Sequence, residues 1–139
     1  MKTITFRVEG KPQGKDRPRF TTRGGYARTY TTDKTRSYED LIVLSYKQST
    51  KDLYFDSEPI RAVITVSFTP NMSASKKNKE LMLLDKIKPT KKPDCDNVAK
   101  VVLDALNKVA YKDDSQVVEL VVYKIYTETD CVIVTLTEV

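Results

Sequence analysis

Between residues 97 and 110, Val98, Val101, Val102, Ala105, Leu106 and Val109 recur at helical spacing, the most strongly patterned stretch of the chain. Pro93 stands ahead of it, and Asp94 or Asp96 is placed to cap it. Its neighbours are β-like. Residues 60–69 (IRAVITVSFT) and 116–126 (QVVELVVYKIY) are rich in β-branched side chains. Residues 2–9 alternate Ile4, Phe6 and Val8 with polar positions, the pattern of a half-buried strand. Residues 131–136 (CVIVTL) read as a further strand, expected to form a hairpin with 116–126 around Thr127–Asp130. A second helix is expected from Thr32-Asp33, with Tyr38, Leu41, Ile42, Ser45 and Tyr46 on one face. Residues 73–86 fit either a short helix or an exposed flap. A long irregular basic loop is expected from Gly10 to about Arg28. The sum is a mixed α/β (α+β) chain with about four strands and two or three helices. At 139 residues it is one domain, 1–139, and 40% hydrophobic with 31% charged residues suffices for one modest core.

Composition narrows the chemistry. The chain contains no histidine, which removes histidine general bases, histidine-ligated zinc and Ser-His-Asp or Cys-His nucleophiles. Catalysis must then run on carboxylates, Lys, Arg, Tyr, Cys or a metal held by oxygens. The two cysteines, Cys95 and Cys131, are too few and too far apart for a zinc site and are expected to be small buried residues. The opening residues, Met1 to Arg7, are polar and charged at alternate positions, unlike a signal peptide, and no apolar run approaches a membrane span. A cytoplasmic protein with reduced thiols is the expectation.

Charge is uneven. The net charge is +5, but residues 1–36 carry 10 Lys/Arg against 3 acids and residues 75–92 carry 7 against 2. Residues 113–139 reverse this, with 6 acids against 1 Lys. The loop residues Lys15, Arg17, Arg19, Arg23 and Arg28 are interleaved with Phe20, Tyr26 and Tyr30. Such cations neutralise phosphates and such rings can stack on unpaired bases. Alternatively, Phe20 and Tyr30 anchor a solvated loop to the core. Lys76 and Lys77, with Lys79, form a second basic patch; they are candidate DNA contacts, although a solvated face is the simpler reading.

The acids are the more informative feature. In extended backbone, residues i and i+2 point to one side, so Asp94 and Asp96 are expected to converge while Cys95 faces away. The helix then leads to Asp113-Asp114. Fourteen residues span roughly 21 Å. The two acidic ends must therefore meet through strand packing or within a dimer. Three carboxylates gathered without histidine suit a hard cation such as Mg²⁺, which takes carboxylates, waters and phosphate oxygens. Asp96, Asn97, Lys100, Asp104 and Asn107 share the polar face of the helix. Lys100 either pairs with Asp96 one turn back or contacts a phosphate. Taken singly, each acid could be a cap, a turn or a solvated i,i+4 partner. Tyr111 is expected to be packing.

Pro93-Asp94-x-Asp96-Asn97-x-x-Lys100-x-x-x-Asp104-Ala105-Leu106, followed by Tyr111-x-Asp113-Asp114-Ser115-Gln116-Val117, resembles the signature of the RusA family of Holliday junction resolvases. Pro12-x-x-Lys15-x-Arg17-Pro18-Arg19 and Tyr30 resemble the family's N-terminal region. The resemblance implies a RusA-like domain in an intertwined homodimer, of bacterial or prophage origin. It implies a nuclease that binds four-way DNA junctions and cleaves paired strands with Mg²⁺ (or Mn²⁺), without a small-molecule cofactor or a membrane. Asp94, Asp96 and Asp114 would be catalytic carboxylates and metal ligands, with Asp113 as a further candidate ligand. Lys100 would be an essential cation. A tryptophan expected near the Asp pair is replaced here by Tyr111, and the stretch 73–86 is longer than in compact members. Two other readings stand beside this one: a non-catalytic nucleic-acid-binding module, and an interaction factor of a mobile element.

Overall fold

The computed structural model of the protein describes residues 1–51 and 53–139. The chain runs β1 (Thr3–Glu9), β2 (Arg19–Thr21), β3 (Arg28–Tyr30), α1 (Asp33–Thr50), β4 (Ile60–Phe68), α2 (Lys76–Leu83), α3 (Cys95–Leu106), a short 3₁₀ turn (Asp114–Gln116), β5 (Val117–Tyr126) and β6 (Cys131–Glu138). Strands β1, β6, β4 and β5 form one mixed sheet in that order, with β5 parallel to β4 and the other pairs antiparallel. A mixed α/β domain with three helices is therefore what the residues build.

The expected hairpin between β5 and β6 is not formed. Strand β5 returns from α3 alongside β4, because a strand–helix–strand crossover delivers its second strand parallel to the first. Strand β6 then slots between β4 and β1, with Val134 opposite both Ile64 and Phe6. The 127–130 turn crosses the end of β4. Thr127 N–H donates to Phe68 O, and the Asp130 carboxylate accepts from the Thr69 N–H at 2.7 Å and the Thr69 hydroxyl at 3.2 Å.

Helices α1 and α3 lie side by side on one face of the sheet. Tyr38, Ile42 and Tyr46 of α1 and Val98, Val101, Val102 and Leu106 of α3 meet Ile60, Ala62, Ile64 and Val66 of β4 and Val132, Val134 and Leu136 of β6 in one buried cluster. Phe6 and Tyr46 pack edge to face, with ring centroids 5.5 Å apart. Leu41, expected on the buried face of α1, is exposed, because the face in contact runs through Thr35, Tyr38, Ile42, Tyr46 and Thr50. The opposite face of the sheet carries Thr5 and Thr135, whose hydroxyls are 3.0 Å apart.

The segment read as an irregular loop contains a two-stranded ribbon, β2–β3, with Arg19 opposite Tyr30 and Thr21 opposite Arg28. Gly24 and Gly25, both at positive φ, make its turn. Phe20 and Tyr30 are exposed and do not anchor it to the core. The ambiguous segment 73–86 holds α2, capped by Ser75, whose hydroxyl accepts from the Asn78 N–H.

Candidate active site

Helix α3 begins two residues after Pro93, which stands just ahead of its N-cap. Asp94 occupies the N-cap, with extended backbone (φ −72°, ψ 155°), and Asp96 sits inside the first turn. The expected i, i+2 convergence on extended backbone is therefore not realised, because Cys95 is already helical and turns Asp96 around the axis. Cys95 is exposed rather than buried, since it begins the helix at its solvent end; Cys131 is buried as expected. The Asp94 side chain makes no capping hydrogen bond, and among the described residues neither it nor Asp96 forms an ion pair. Lys100 is exposed and pairs with no carboxylate among the described residues, so the i,i+4 pair with Asp96 is not formed.

The segment Pro12–Arg17 is stapled over this end of α3. Lys15 N–H donates to Asn97 O at 3.1 Å. A Cβ on Gly14 would stand 2.9 Å from the Asn97 Cβ and 3.2 Å from that of Pro93, so only glycine lets the loop lie this close. Lys15 Nζ lies 3.1 Å from Glu39 Oε2 on α1 and 3.2 Å from Asp104 Oδ2 on α3. Burial would lower the Lys15 pKa, but hydrogen bonds to these two carboxylates outweigh it and raise the pKa above its ordinary value. Asp16 closes the other side: its N–H donates to Thr35 Oγ1 at 3.0 Å, and its carboxylate accepts from the Thr32 hydroxyl at 2.9 Å. A cleft of about 460 Å³ remains between this loop, the start of α1 and the start of α3, lined among others by Arg17, Lys34, Lys92, Asp94 and Asn97.

The other acidic pair stands at the opposite end of α3. Twelve helical residues put about 18 Å between the two ends. After Leu106 the chain turns through Lys108 at positive φ, and buried Tyr111 donates its hydroxyl to Leu103 O at 2.7 Å. Burial and then the charges of Asp114, Asp104 and Asp113 push the Tyr111 pKa strongly upward, so it remains a packed, protonated phenol. Asp113 and Gln116 form a capping box: Ser115 N–H donates to Asp113 Oδ2 at 3.0 Å, and Asp113 N–H donates to Gln116 Oε1 at 2.9 Å. Hydrogen bonding from Ser115 lowers the Asp113 pKa. Asp114, next to it, is exposed and makes no such bond. Among the described residues no three Asp, Glu or Cys side chains converge to hold a metal ion. One chain therefore does not assemble Asp94, Asp96 and Asp114 by itself. Asp94 and Asp96 alone are uncommitted hard oxygen donors, and one or two carboxylates with water suffice for Mg²⁺, so this end of α3 fits such an ion.

The cations expected on DNA divide into four sets. Lys15 is spent inside the protein. Arg17 lines the cleft. Arg19 and Arg28 belong to the ribbon, Arg23 to its turn, and all three are exposed; the Arg28 guanidinium lies 5.2 Å from the Tyr26 ring. Lys76 and Lys77 are exposed in the first turn of α2. Sequence reasoning missed Lys34 and Lys92 in the cleft and Glu39 as the partner of Lys15. A signal for Lys34 existed: it is a cation in the first turn of a helix, where the macrodipole disfavours one.

Free carboxylates thus stand at the head of a helix beside a cleft lined by cations. Comparison with known proteins gives the family. The family described as "Endodeoxyribonuclease RusA" matches residues 9–137, and the chain belongs to that family. It is also similar to the protein described as "Uncharacterized protein YqaN" from Bacillus subtilis (strain 168), with 37% identity over 141 residues covering 100% of this chain and 99% of that protein.

Proposed function

We propose that the protein is a Mg²⁺-dependent endonuclease that resolves four-way DNA junctions as a homodimer, in DNA recombination and repair. Family membership supports DNA cleavage. The observation that carries the reading further is the pair of uncommitted carboxylates, Asp94 and Asp96, beside the cationic cleft. Asp94, Asp96 and Asp114 would hold the ion, with Asp113 occupied as a cap. A bound Mg²⁺ (or Mn²⁺) supplies Lewis-acid polarisation of the phosphate and acidifies its water. Lys100, one turn along α3 from Asp96, would stabilise charge developing on the scissile phosphate. The ribbon cations Arg19, Arg23 and Arg28 and the α2 cations Lys76 and Lys77 would position the duplex arms through phosphates.

The homodimer reading rests on β5. This strand forms the free edge of the sheet, and Val118, Leu120, Val121 and Tyr123 are 60%, 46%, 37% and 54% exposed. An unpaired apolar edge is a template for a second strand. Its direction bears on the site. Lys124 Nζ donates to Lys91 O, and Lys91 Nζ lies 4.9 Å from the Phe68 ring, which holds the approach to Asp94 near the end of β5. Asp114 lies just before its start. A two-fold axis that pairs β5 with β5 antiparallel lays the start of one strand beside the end of the other. The partner's Asp114 then comes to the Asp94–Asp96 end.

Incubating the protein with a synthetic mobile four-way junction tests the reading. Paired cuts that require Mg²⁺ are expected. Binding without cleavage in Mg²⁺ or Mn²⁺ would leave only a nucleic-acid-binding module.

A further inference from the structure

The cleft beside Asp94 has a composition that metal binding does not explain. Besides Lys15, three cations, Arg17, Lys34 and Lys92, line it, and among the described residues none of these three pairs with a carboxylate. They come from three different segments: the stapled loop, the first turn of α1 and the turn before α3. Lys34 stands in that first turn against the helix dipole, so its position works against local helix stability. The walls are fixed. Lys15 is tied to Glu39 and Asp104, Gly14 lies against Asn97 and Pro93, and Asp16 is tied to Thr32 and Thr35. Of the two carboxylates lining the cleft, Asp16 is thus already engaged, and three unpaired cations face essentially one free acid, Asp94. The fold neutralises Lys15 internally and leaves its neighbours unpaired, and gathering like charges this way is costly unless an anion joins them.

We propose that Arg17, Lys34 and Lys92 form a phosphate subsite next to the Asp94–Asp96 end of α3. Within the nuclease reading, on which its DNA role rests, it holds a backbone phosphate adjacent to the scissile one. It fixes the register of the strand on the carboxylates, so these three are binding residues rather than catalytic ones.

Two measurements separate the subsite from the nuclease reading. The first uses inorganic phosphate as the probe, without divalent metal, followed by amide NMR shifts against sodium chloride of equal ionic strength. Saturable shifts confined to residues 13–17, 33–35 and 92–97 are expected, and their loss in Lys34→Gln/Lys92→Gln. Shifts that sodium chloride reproduces, or that persist in the double variant, would overturn the subsite whatever the protein does to DNA. The second measures junction binding against salt. The double variant is expected to flatten the slope of log K on log[salt] by about 1.8, roughly 0.9 for each lost phosphate contact. A charge-matched control, Lys47→Ala/Lys51→Asn, is expected to leave the slope unchanged; Asn suits the positive φ of residue 51. Equal slopes in wild type and the cleft variant would overturn the subsite's role on DNA, while normal cleavage in that variant would leave the nuclease reading intact. Loss of the phosphate shifts with a native thermal melt would show that the subsite, not the fold, was removed.

Discussion

The two ends of α3 carry similar acids in opposite settings. At its start, the Pro12–Arg17 loop, α1 and the Lys92-Pro93 turn of the same chain close around Asp94, and Lys15 ties the closure with charge. At its far end, Asp113 is consumed as a cap, Asp114 faces outward, and the strand that follows exposes apolar side chains along a free edge. The first end is built by intramolecular contacts; the second leaves unpaired backbone and uncovered valines. The difference supports the proposed reading, in which the start of α3 is closed by its own chain and a partner at the open β5 edge would supply the remaining carboxylate.

The comparison breaks most directly at the finished end. Asp96→Asn, and separately Asp94→Asn, should lower Mg²⁺-dependent cleavage by on the order of 10³-fold, since a neutral amide is a poor ligand for a hard cation. Asn caps as well as Asp, and the Asp94 side chain makes no capping bond to lose. At position 96 the lost dipole interaction is about 0.3–1 kcal/mol. Junction binding and thermal melting should therefore stay close to wild type. Normal cleavage by both variants would return these acids to purely structural roles.

At the unfinished end, Val118→Asp/Leu120→Asp should convert a particle of about twice the chain mass of 15.9 kDa into a single chain, read by light scattering. The secondary structure should survive, because both side chains are already solvent-exposed within one chain. A wild-type mass of one chain at micromolar concentration would count against the interface.

Lys15→Met probes the staple. Removing a partly exposed cation that serves two carboxylates should cost about 1 kcal/mol after solvent screening. The sign of the pH dependence follows from its raised pKa: the contribution is full below the ordinary value of 10.5 and is lost as pH rises through the folded-state value. The melting difference between wild type and Lys15→Met should hold from neutral pH to about 10 and shrink above it. A difference that stayed constant into strong alkali would deny the charge a role.

The smallest effect belongs to the Asp pair. Asp113→Ala should reduce stability slightly, whereas Asp114→Ala should leave melting unchanged. The Asp113 pKa is lowered, so its capping contribution is present above the ordinary carboxylate value of 3.8 and fades as pH falls below it. Equal melts for the two variants at pH 7 would show that the capping box contributes nothing.

Much of this was legible in sequence because burial writes a period. Helix α3, the start of α1 at Thr32-Asp33 and strands β1, β4 and β6 stood out since one face of each is covered. The hairpin assigned to 116–126 and 131–136 failed because adjacency along the chain says nothing of β4, which takes both strands as neighbours. The ribbon β2–β3 was missed because its strands are exposed on both faces and have no period to read; Gly24-Gly25 was its one signal. The acids at both ends of α3 were visible as residues. Their separation was readable from helix length, and the destination of the Lys15 charge was not, since Glu39 and Asp104 reach it from elements 24 and 89 positions away.

Subunit mixing tests the central claim, that the site is completed across β5. Asp94→Asn and Asp114→Asn should each be inactive as homodimers. In a mixed dimer, a site that takes Asp94 from one chain and Asp114 from the other collects both lesions on one side and none on the other. Mixing the two inactive variants, with subunit exchange verified by mass spectrometry, should therefore restore Mg²⁺-dependent nicking of a four-way junction. If exchanged dimers stay inactive, each site draws all its carboxylates from one chain, and the account of the unfinished end is wrong.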